Sequence, residues 1–175
     1  SLLKILTRYC VFTSEKLLLV MRPYQIVATE RILGRINVAN NYKSFGTVNA
    51  GGYVWHTTGS GKTLTSFKTA QLAARLPYIK KVLFVVDRKD LDYQTMKEYD
   101  KFEKGAANSN TSTTILSKQL GDPDARIIIT TIQKLAILIK KRKDHPVFKE
   151  QVVIIFDECH RSQFGEMHEA ITKKF

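Results

Sequence analysis

The sequence predicts an α/β fold in which a mainly parallel β-sheet lies between layers of helices. Short apolar runs of strand length alternate with longer amphipathic stretches, which is the pattern of repeated β-α-β units. The apolar runs are continuous rather than alternating, as expected for strands that are buried on both faces. The length of 175 residues is enough for one sizeable hydrophobic core.

Each element follows from the local pattern of residues. In the first amphipathic stretch, Ile26, Leu33 and Ile36 recur at spacings that line one face of a helix. Glycine, asparagine and polar residues mark the segments between elements as loops. The predicted strands are Tyr53–His56, Val82–Val86, Arg126–Thr131 and Val152–Phe156, with a further edge strand at Lys16–Met21. The predicted helices are Pro23–Val38, Lys62–Arg75, Leu91–Phe102, Gln133–Lys141 and a last one that begins after Gly165. The predicted loops are Asn40–Gly52, Gly105–Thr114 and Lys141–Lys149.

Charge and composition narrow the class of protein. The formal net charge of +12 favours a polyanionic partner, although a solvated basic surface gives the same count. No apolar run approaches the roughly 20 residues of a membrane span, and residues 1–20 lack a signal-peptide cleavage site. The two cysteines form no CxxC pair, which argues against a disulfide scaffold. We therefore expect a cytoplasmic protein without a membrane partner.

The strongest motif is segment 56–63, His-Thr-Thr-Gly-Ser-Gly-Lys-Thr, between a predicted strand and a predicted helix. Glycines allow backbone N–H groups to converge on phosphate oxygens, and the start of the helix adds the positive end of its dipole. Lys62 is expected to reach the β- and γ-phosphates of a nucleotide, and the Thr63 hydroxyl to ligate Mg²⁺. An ordinary glycine turn is the alternative, because His56 stands where the general pattern begins with glycine. The predicted phosphate-binding loop (P-loop) residues are Thr58, Gly59, Ser60, Gly61, Lys62 and Thr63.

A second motif, Asp-Glu-Cys-His, follows the strand Val152–Phe156. Carboxylates at the carboxyl end of a parallel strand lie where such sheets bind ligands. We expect Asp157 to hold Mg²⁺ through its water shell and Glu158 to orient or deprotonate the attacking water. A solvated strand end is the alternative for this motif taken alone. Cys159 and His160 lack the spacing of a zinc site.

These motifs together resemble the first motor domain of superfamily 2 helicases and translocases. More narrowly, the chain resembles the restriction (R) subunit of type I restriction–modification enzymes, in which the first P-loop position is often a histidine, as at His56. The resemblance covers roughly residues 17–175 and implies a three-layer, RecA-like P-loop NTPase domain. It rests on segment 56–63, Arg22–Gln25, Asp87–Leu91, Thr130–Lys134 and Asp157–Ser162.

The resemblance also implies roles for individual residues. Gln25 matches a glutamine that reads adenine, since its amide offers one donor and one acceptor to the base edge; capping of the following helix is the alternative. Arg88, Thr131 and Gln133 match motifs that contact the DNA backbone, with strand-end polarity as the alternative. His160 matches a residue that couples the nucleotide site to the partner domain. The basic run Lys140–Lys143 either extends this DNA surface or is a solvated helix end.

The function implied by the resemblance is an ATP-driven motor that uses Mg²⁺ and translocates double-stranded DNA before its cleavage. The implied partners are the methyltransferase and specificity subunits of the same restriction complex. A superfamily 2 DNA or RNA helicase outside restriction is the alternative enzyme.

Domain organisation follows from the same comparison. Residues 1–20 are expected to be a linker or the tail of a preceding domain, and residues 21–175 the first motor domain of a truncated chain. Residues 1–20 contain a single acid, Glu15, too few for a two-metal nuclease. Because motors of this class take an arginine from a second domain, the chain alone is expected to bind ATP and DNA with little or no turnover.

Overall fold

The computed structural model describes residues 2–13, 15–57, 59–86, 112–156 and 165–175. Its helices are α1 (Leu2–Arg8), α2 (Pro23–Tyr42), α3 (Lys62–Ala73), α4 (Thr113–Gly121), α5 (Ile132–Lys141) and α6 (Gly165–Thr172). Its strands are β1 (Cys10–Phe12), β2 (Leu18–Val20), β3 (Lys81–Val86), β4 (Ile127–Thr131) and β5 (Val152–Phe156). Short 3₁₀ turns occupy Val48–Ala50 and Pro146–Lys149. The predicted helix Leu91–Phe102 lies outside the described residues.

The chain divides into two compact units, residues 1–73 and 74–175. The division falls within the range 21–175 for which a single motor domain is expected, and those domain boundaries stay a prediction. No helix among the described residues is long and apolar enough to cross a membrane.

The first unit begins with helix α1 and an antiparallel hairpin of β1 and β2, in which Cys10 pairs with Val20. The expected edge strand at Lys16–Met21 is confirmed in part, since Leu18–Val20 form β2, which pairs with β1 in a two-stranded sheet. The partner strand β1 was not predicted. The hairpin region is held to helix α2 because the Glu30 carboxylate accepts hydrogen bonds from the Tyr9 hydroxyl at 2.7 Å and from Arg8 Nε at 3.1 Å. The bond from Tyr9 is the main reason that the pKa of Glu30 is lowered.

Helix α2 begins at Pro23, whose fixed φ and missing N–H suit the first turn of a helix. It continues through Asn40 to Tyr42, beyond the predicted end at Val38. Lys43 then adopts the left-handed conformation, with φ of 52°, and its N–H bonds back to Ala39 and Asn40 carbonyls. The residues that α2 buries are Gln25, Thr29, Leu33 and Ala39.

The predicted strand Tyr53–His56 is wrong, because residues 51–57 form neither strand nor helix. The side chains of Tyr53 and Trp55 are 87% and 85% exposed. Residues with high β-propensity form a strand only when a neighbouring strand takes up their backbone hydrogen bonds. Within the described residues no strand pairs with this segment.

The second unit contains a parallel three-stranded sheet in the order β4-β3-β5. Strand β3 is central and wholly buried, with Phe84 opposite Ile129 on one side and Ile155 on the other. Helices pack beside the sheet, so the predicted α/β fold with a parallel sheet flanked by helices is confirmed. The largest fully buried core side chains of this unit include Leu83, Leu116, Ile128, Ile132, Leu135, Leu138 and Ile171.

The predicted boundaries in this unit are close to the observed ones. Strand β3 begins one residue early, at Lys81, which pairs with Val152 of β5. The buried Lys81 ammonium donates to the carbonyls of Gln119, Asp122 and Ala125. Burial lowers the pKa of Lys81. Helix α4 was not predicted, and its first two residues lie in the predicted loop Gly105–Thr114. Its start is marked by Ser112, whose hydroxyl accepts from the Ile115 N–H at 3.3 Å.

Candidate nucleotide-binding site

The loop before helix α3 has the backbone conformation of a glycine-dependent turn. Gly59 and Gly61 have φ of +77° and +78°, a region that residues with a Cβ adopt only at a cost. Ser60 closes the turn, because its N–H and its hydroxyl both donate to the Thr57 carbonyl, at 3.2 and 2.7 Å. Helix α3 then begins at Lys62, with Thr65 donating to the Gly61 carbonyl at 3.1 Å. The loop therefore leads directly into the positive end of a helix.

Two side chains from the start of helix α2 reach this loop. The Tyr24 hydroxyl donates to the Ser60 carbonyl at 2.7 Å. The Gln25 amide nitrogen donates to the same carbonyl and to that of Gly61, both at 3.2 Å. The ring edge of Tyr24 also lies against His56, with the ring centres 5.5 Å apart. The first turn of α2 thus fixes the second half of the loop.

Both the oxygen and the nitrogen of the Gln25 amide form hydrogen bonds within the protein. Its oxygen accepts from the Arg22 N–H at 2.8 Å, which caps helix α2 as the alternative interpretation expected. Its nitrogen donates to the adjacent loop carbonyls of Ser60 and Gly61. The side chain is only 3% exposed. Adenine readout by Gln25 stays a prediction.

The two glycines differ in their surroundings. A Cβ added to Gly61 would lie 2.5 Å from the Gln25 amide nitrogen, whereas one added to Gly59 would meet nothing within 4 Å. Gly61 is therefore required both by its backbone conformation and by its contact with Gln25.

Comparisons with known proteins identify the family. The sequence model of the SWI2/SNF2 ATPase family matches residues 24–175. The chain is 51% identical over 181 residues to the C-terminal part of the MpnIIP endonuclease subunit of a type I restriction enzyme from Mycoplasma pneumoniae, covering 100% of this chain and 88% of that protein. The chain belongs to the endonuclease subunits of type I restriction enzymes, within the SWI2/SNF2 ATPase family.

Longer restriction subunits match over part of their length. The chain is 45% identical over 180 residues to the SauCOLORF180P endonuclease subunit of Staphylococcus aureus, covering 100% of this chain and 18% of the relative. It is 31% identical over 132 residues to the HindI endonuclease subunit of Haemophilus influenzae, covering 71% of this chain and 12% of the relative. The chain therefore represents an ATPase-type region that spans less than a fifth of these two subunits.

The predicted P-loop residues Lys62 and Thr63 begin helix α3. Lys62 and Thr63 are half-buried and lie in the first turn of helix α3. Side chains in this turn point toward the N-terminal end of the helix, where its first backbone N–H groups also point. Thr58, Asp157 and Glu158 lie outside the described residues, as do Cys159 and His160. Among the residues that the structure does describe, no group of three His, Cys, Asp or Glu side chains could hold a metal ion.

The predicted DNA-contacting residues are placed differently from one another. Thr131 is 3% exposed, and its hydroxyl caps helix α5 by accepting from the Lys134 N–H at 3.2 Å. In this conformation the hydroxyl therefore has a structural role as a helix cap. Gln133 is half-buried, and Arg88 lies outside the described residues. Contacts of these three residues with DNA stay predictions.

The basic run Lys140–Lys143 is exposed throughout, and its first two residues are the last two of helix α5, which ends at Lys141. Cations are favoured at this end of a helix by its dipole, so the position agrees with the interpretation as a solvated helix end.

Sequence reasoning missed Tyr24 as a residue of the site. The available signal was its position beside Gln25 in the first turn of a helix, where an exposed tyrosine can reach a neighbouring loop. The side chain is 40% exposed, and its hydroxyl is nevertheless engaged.

Proposed function

We propose that this chain binds the phosphates of ATP at the P-loop, and that ATP hydrolysis in the complete subunit drives translocation of double-stranded DNA. The observation that carries the proposal is the loop with two glycines at positive φ, which leads into helix α3 at Lys62. Such a loop presents backbone N–H groups and a helix N-terminus to an anion. Lys62 adds the charge that faces the β- and γ-phosphates.

Mg²⁺ is part of this proposal. Thr63, in the first turn of α3, offers a hydroxyl oxygen, which is the kind of ligand that Mg²⁺ prefers. Asp157 would complete the protein ligands through the water shell of the ion. When bound, the metal supplies positive charge that offsets the charge on the phosphate oxygens. Glu158 would orient or deprotonate the attacking water.

The DNA part of the proposal is supported by relatives and by charge. The relatives are endonuclease subunits of type I restriction enzymes, and the chain carries a net charge of +12. We therefore propose that the complete subunit moves along double-stranded DNA. Arg88 would contact the DNA backbone, as would Thr131 and Gln133 near the start of helix α5. The methyltransferase and specificity subunits of the restriction complex are the proposed partners. The similarity to restriction subunits favours this function over that of a superfamily 2 helicase outside restriction.

A nucleotide titration tests the site. Replacing Lys62 with alanine removes a charged donor to the phosphates, so we expect the affinity for Mg²⁺-ATP to fall by about 10- to 100-fold. The matched control is Lys118→Ala, which removes an exposed lysine from the last turn of helix α4. The measurement is the change in fluorescence of a labelled ATP analogue. Equal affinity of the Lys62→Ala variant and the wild type would refute the P-loop assignment.

A further inference from the structure

Helix α2 exposes one continuous face along most of its length. Because a helix has about 3.6 residues per turn, exposed residues that recur every three or four positions lie on the same face. The exposed residues of this face, here called the α2 face, are Val27, Arg31, Gly34, Arg35, Val38 and Tyr42. Val27 and Val38 are 50% and 46% exposed, and Tyr42 is 80% exposed. The buried residues of α2 lie on the opposite side, so the α2 face takes no part in the core of the first unit.

The α2 face is basic and carries no acid. Arg31 and Arg35 lie one turn apart, and neither forms an ion pair within the part of the chain that the structure describes. Arg35 donates only to the Asn49 carbonyl, at 3.3 Å. Glu30 is the single acid of α2, and its carboxylate already accepts hydrogen bonds from the hairpin region. No residue from 31 to 86 in the sequence is Asp or Glu, so the charge of the two arginines is available to an anionic partner.

Gly34 lies in the middle of the α2 face, and no packing contact requires a glycine there. A Cβ added at this position would meet nothing within 4 Å. Glycine inside a helix lowers stability relative to alanine, so this residue has a cost that the fold of the chain does not explain. The absence of a side chain does allow a second main chain to approach the helix closely.

The residue types of the α2 face suit a protein partner. Arginine and tyrosine are enriched at protein interfaces, and the exposed valines add apolar area that phosphate groups cannot use. Two arginine-bearing faces would repel each other, which disfavours a second copy of this chain. Carboxylates, in contrast, pair with arginine through two parallel hydrogen bonds. A mixture of charged and half-exposed apolar residues is typical of interfaces between separately folded proteins, since obligate interfaces are more apolar.

We propose that the α2 face docks an acidic helix of another protein of the restriction complex. Arg31 and Arg35 would bind carboxylates of that helix, and Gly34 would lie where the two helices cross. Packed helices are about 8–10 Å apart depending on the side chains at the contact, and a glycine permits a short distance. This inference rests on the proposed function, in which the methyltransferase and specificity subunits are the partners.

The test measures binding of this chain, labelled with a fluorophore, to the purified complex of the methyltransferase and specificity subunits by fluorescence anisotropy. Gly34→Gln places a side chain at the proposed crossing point, so we expect the affinity to fall by at least about 10-fold. Gly34→Ala adds only a methyl group and should weaken binding less. Both substitutions favour the helix and have open space, so the unfolding temperature should rise. A loss of binding by these variants then cannot result from unfolding.

A charge reversal tests the role of the arginines. In Arg31→Glu a carboxylate would face the carboxylates of the partner helix, and we expect the affinity to fall by at least about 10-fold. The matched control is Lys118→Glu, which changes the net charge equally at an exposed position of helix α4. This control should bind nearly like the wild type.

Several results would overturn the inference. They are a wild-type chain that does not bind the complex, and Gly34→Gln or Arg31→Glu variants that bind it like the wild type. Dimers of the chain in sedimentation that Gly34→Gln abolishes would assign the α2 face to a second copy. Weaker duplex DNA binding by Arg31→Glu, with unchanged binding of the complex, would assign the face to DNA. Lys62→Ala should lose Mg²⁺-ATP but still bind the complex, so failure of the P-loop assignment and failure of this docking are distinguishable.

Discussion

Replacement of Gly61 by alanine is expected to destabilise the first unit more than the same replacement at Gly59. Both glycines have φ near +78°, so each alanine costs about 1–2 kcal/mol of backbone strain. Only at position 61 does the new Cβ also approach the Gln25 amide nitrogen, at 2.5 Å. Gln25 must then move, and it makes three hydrogen bonds, to Arg22, Ser60 and Gly61.

The additional cost follows from these bonds. Each contributes about 0.5–1.5 kcal/mol net, and a shift of the side chain loses some of them, so we expect about 1–3 kcal/mol beyond the strain. The free energy of unfolding of the wild type, Gly59→Ala and Gly61→Ala is measured by urea denaturation. Gly59→Ala is the matched control, because it has the same backbone strain and open space around its Cβ.

A double-mutant cycle separates the contact from other effects. In the Gln25→Ala background the amide is absent, so Gly61→Ala should cost only as much as Gly59→Ala does in the wild type. Equal destabilisation by the two alanines in the wild type, or an undiminished cost of Gly61→Ala in the Gln25→Ala background, would contradict the packing of Gln25 on the loop.

Two further predictions concern the proposed ATP hydrolysis and DNA binding. DNA should stimulate steady-state phosphate release by this chain little or not at all, because superfamily 2 motors take an arginine from a second domain. Turnover equal to that of a full-length subunit would argue against a catalytic site shared between two domains. Duplex DNA binding should weaken steeply with salt, and Arg88→Ala should reduce the slope by about one unit, whereas alanines at Lys140–Lys143 should leave it nearly unchanged. A salt titration of labelled duplex decides this, and an Arg88→Ala variant identical to the wild type would remove Arg88 from the DNA surface.

Elements with a strong local signal were predictable from the sequence. The parallel strands β3, β4 and β5 are continuous apolar runs, and the glycine spacing of the P-loop marks the start of helix α3. These signals arise from residues close together in the chain, so no knowledge of distant contacts is needed.

The features that sequence reasoning missed depend on distant partners. Residues 53–56 have the composition of a strand, yet a strand also requires a neighbour, which the local sequence cannot supply. Lys81 belongs to β3 because its backbone pairs with Val152, and carbonyls of residues 119–125 hold its buried ammonium group. The contact of Tyr24 with Ser60 joins residues 36 positions apart. Thr131 is a similar case, because its burial at the start of α5 cannot be deduced from the surrounding sequence motif.

The proposed function depends on binding of the ATP phosphates by the loop of residues 59–63. The most direct measurement is the change in backbone amide chemical shifts of the ¹⁵N-labelled protein when Mg²⁺-ATP is added. We expect the largest shifts at Gly59, Gly61, Lys62 and Thr63, because their N–H groups would face the phosphates. Tripolyphosphate should produce the same pattern. Unchanged chemical shifts of these four amides, together with changes at other amides, would contradict phosphate binding by the loop.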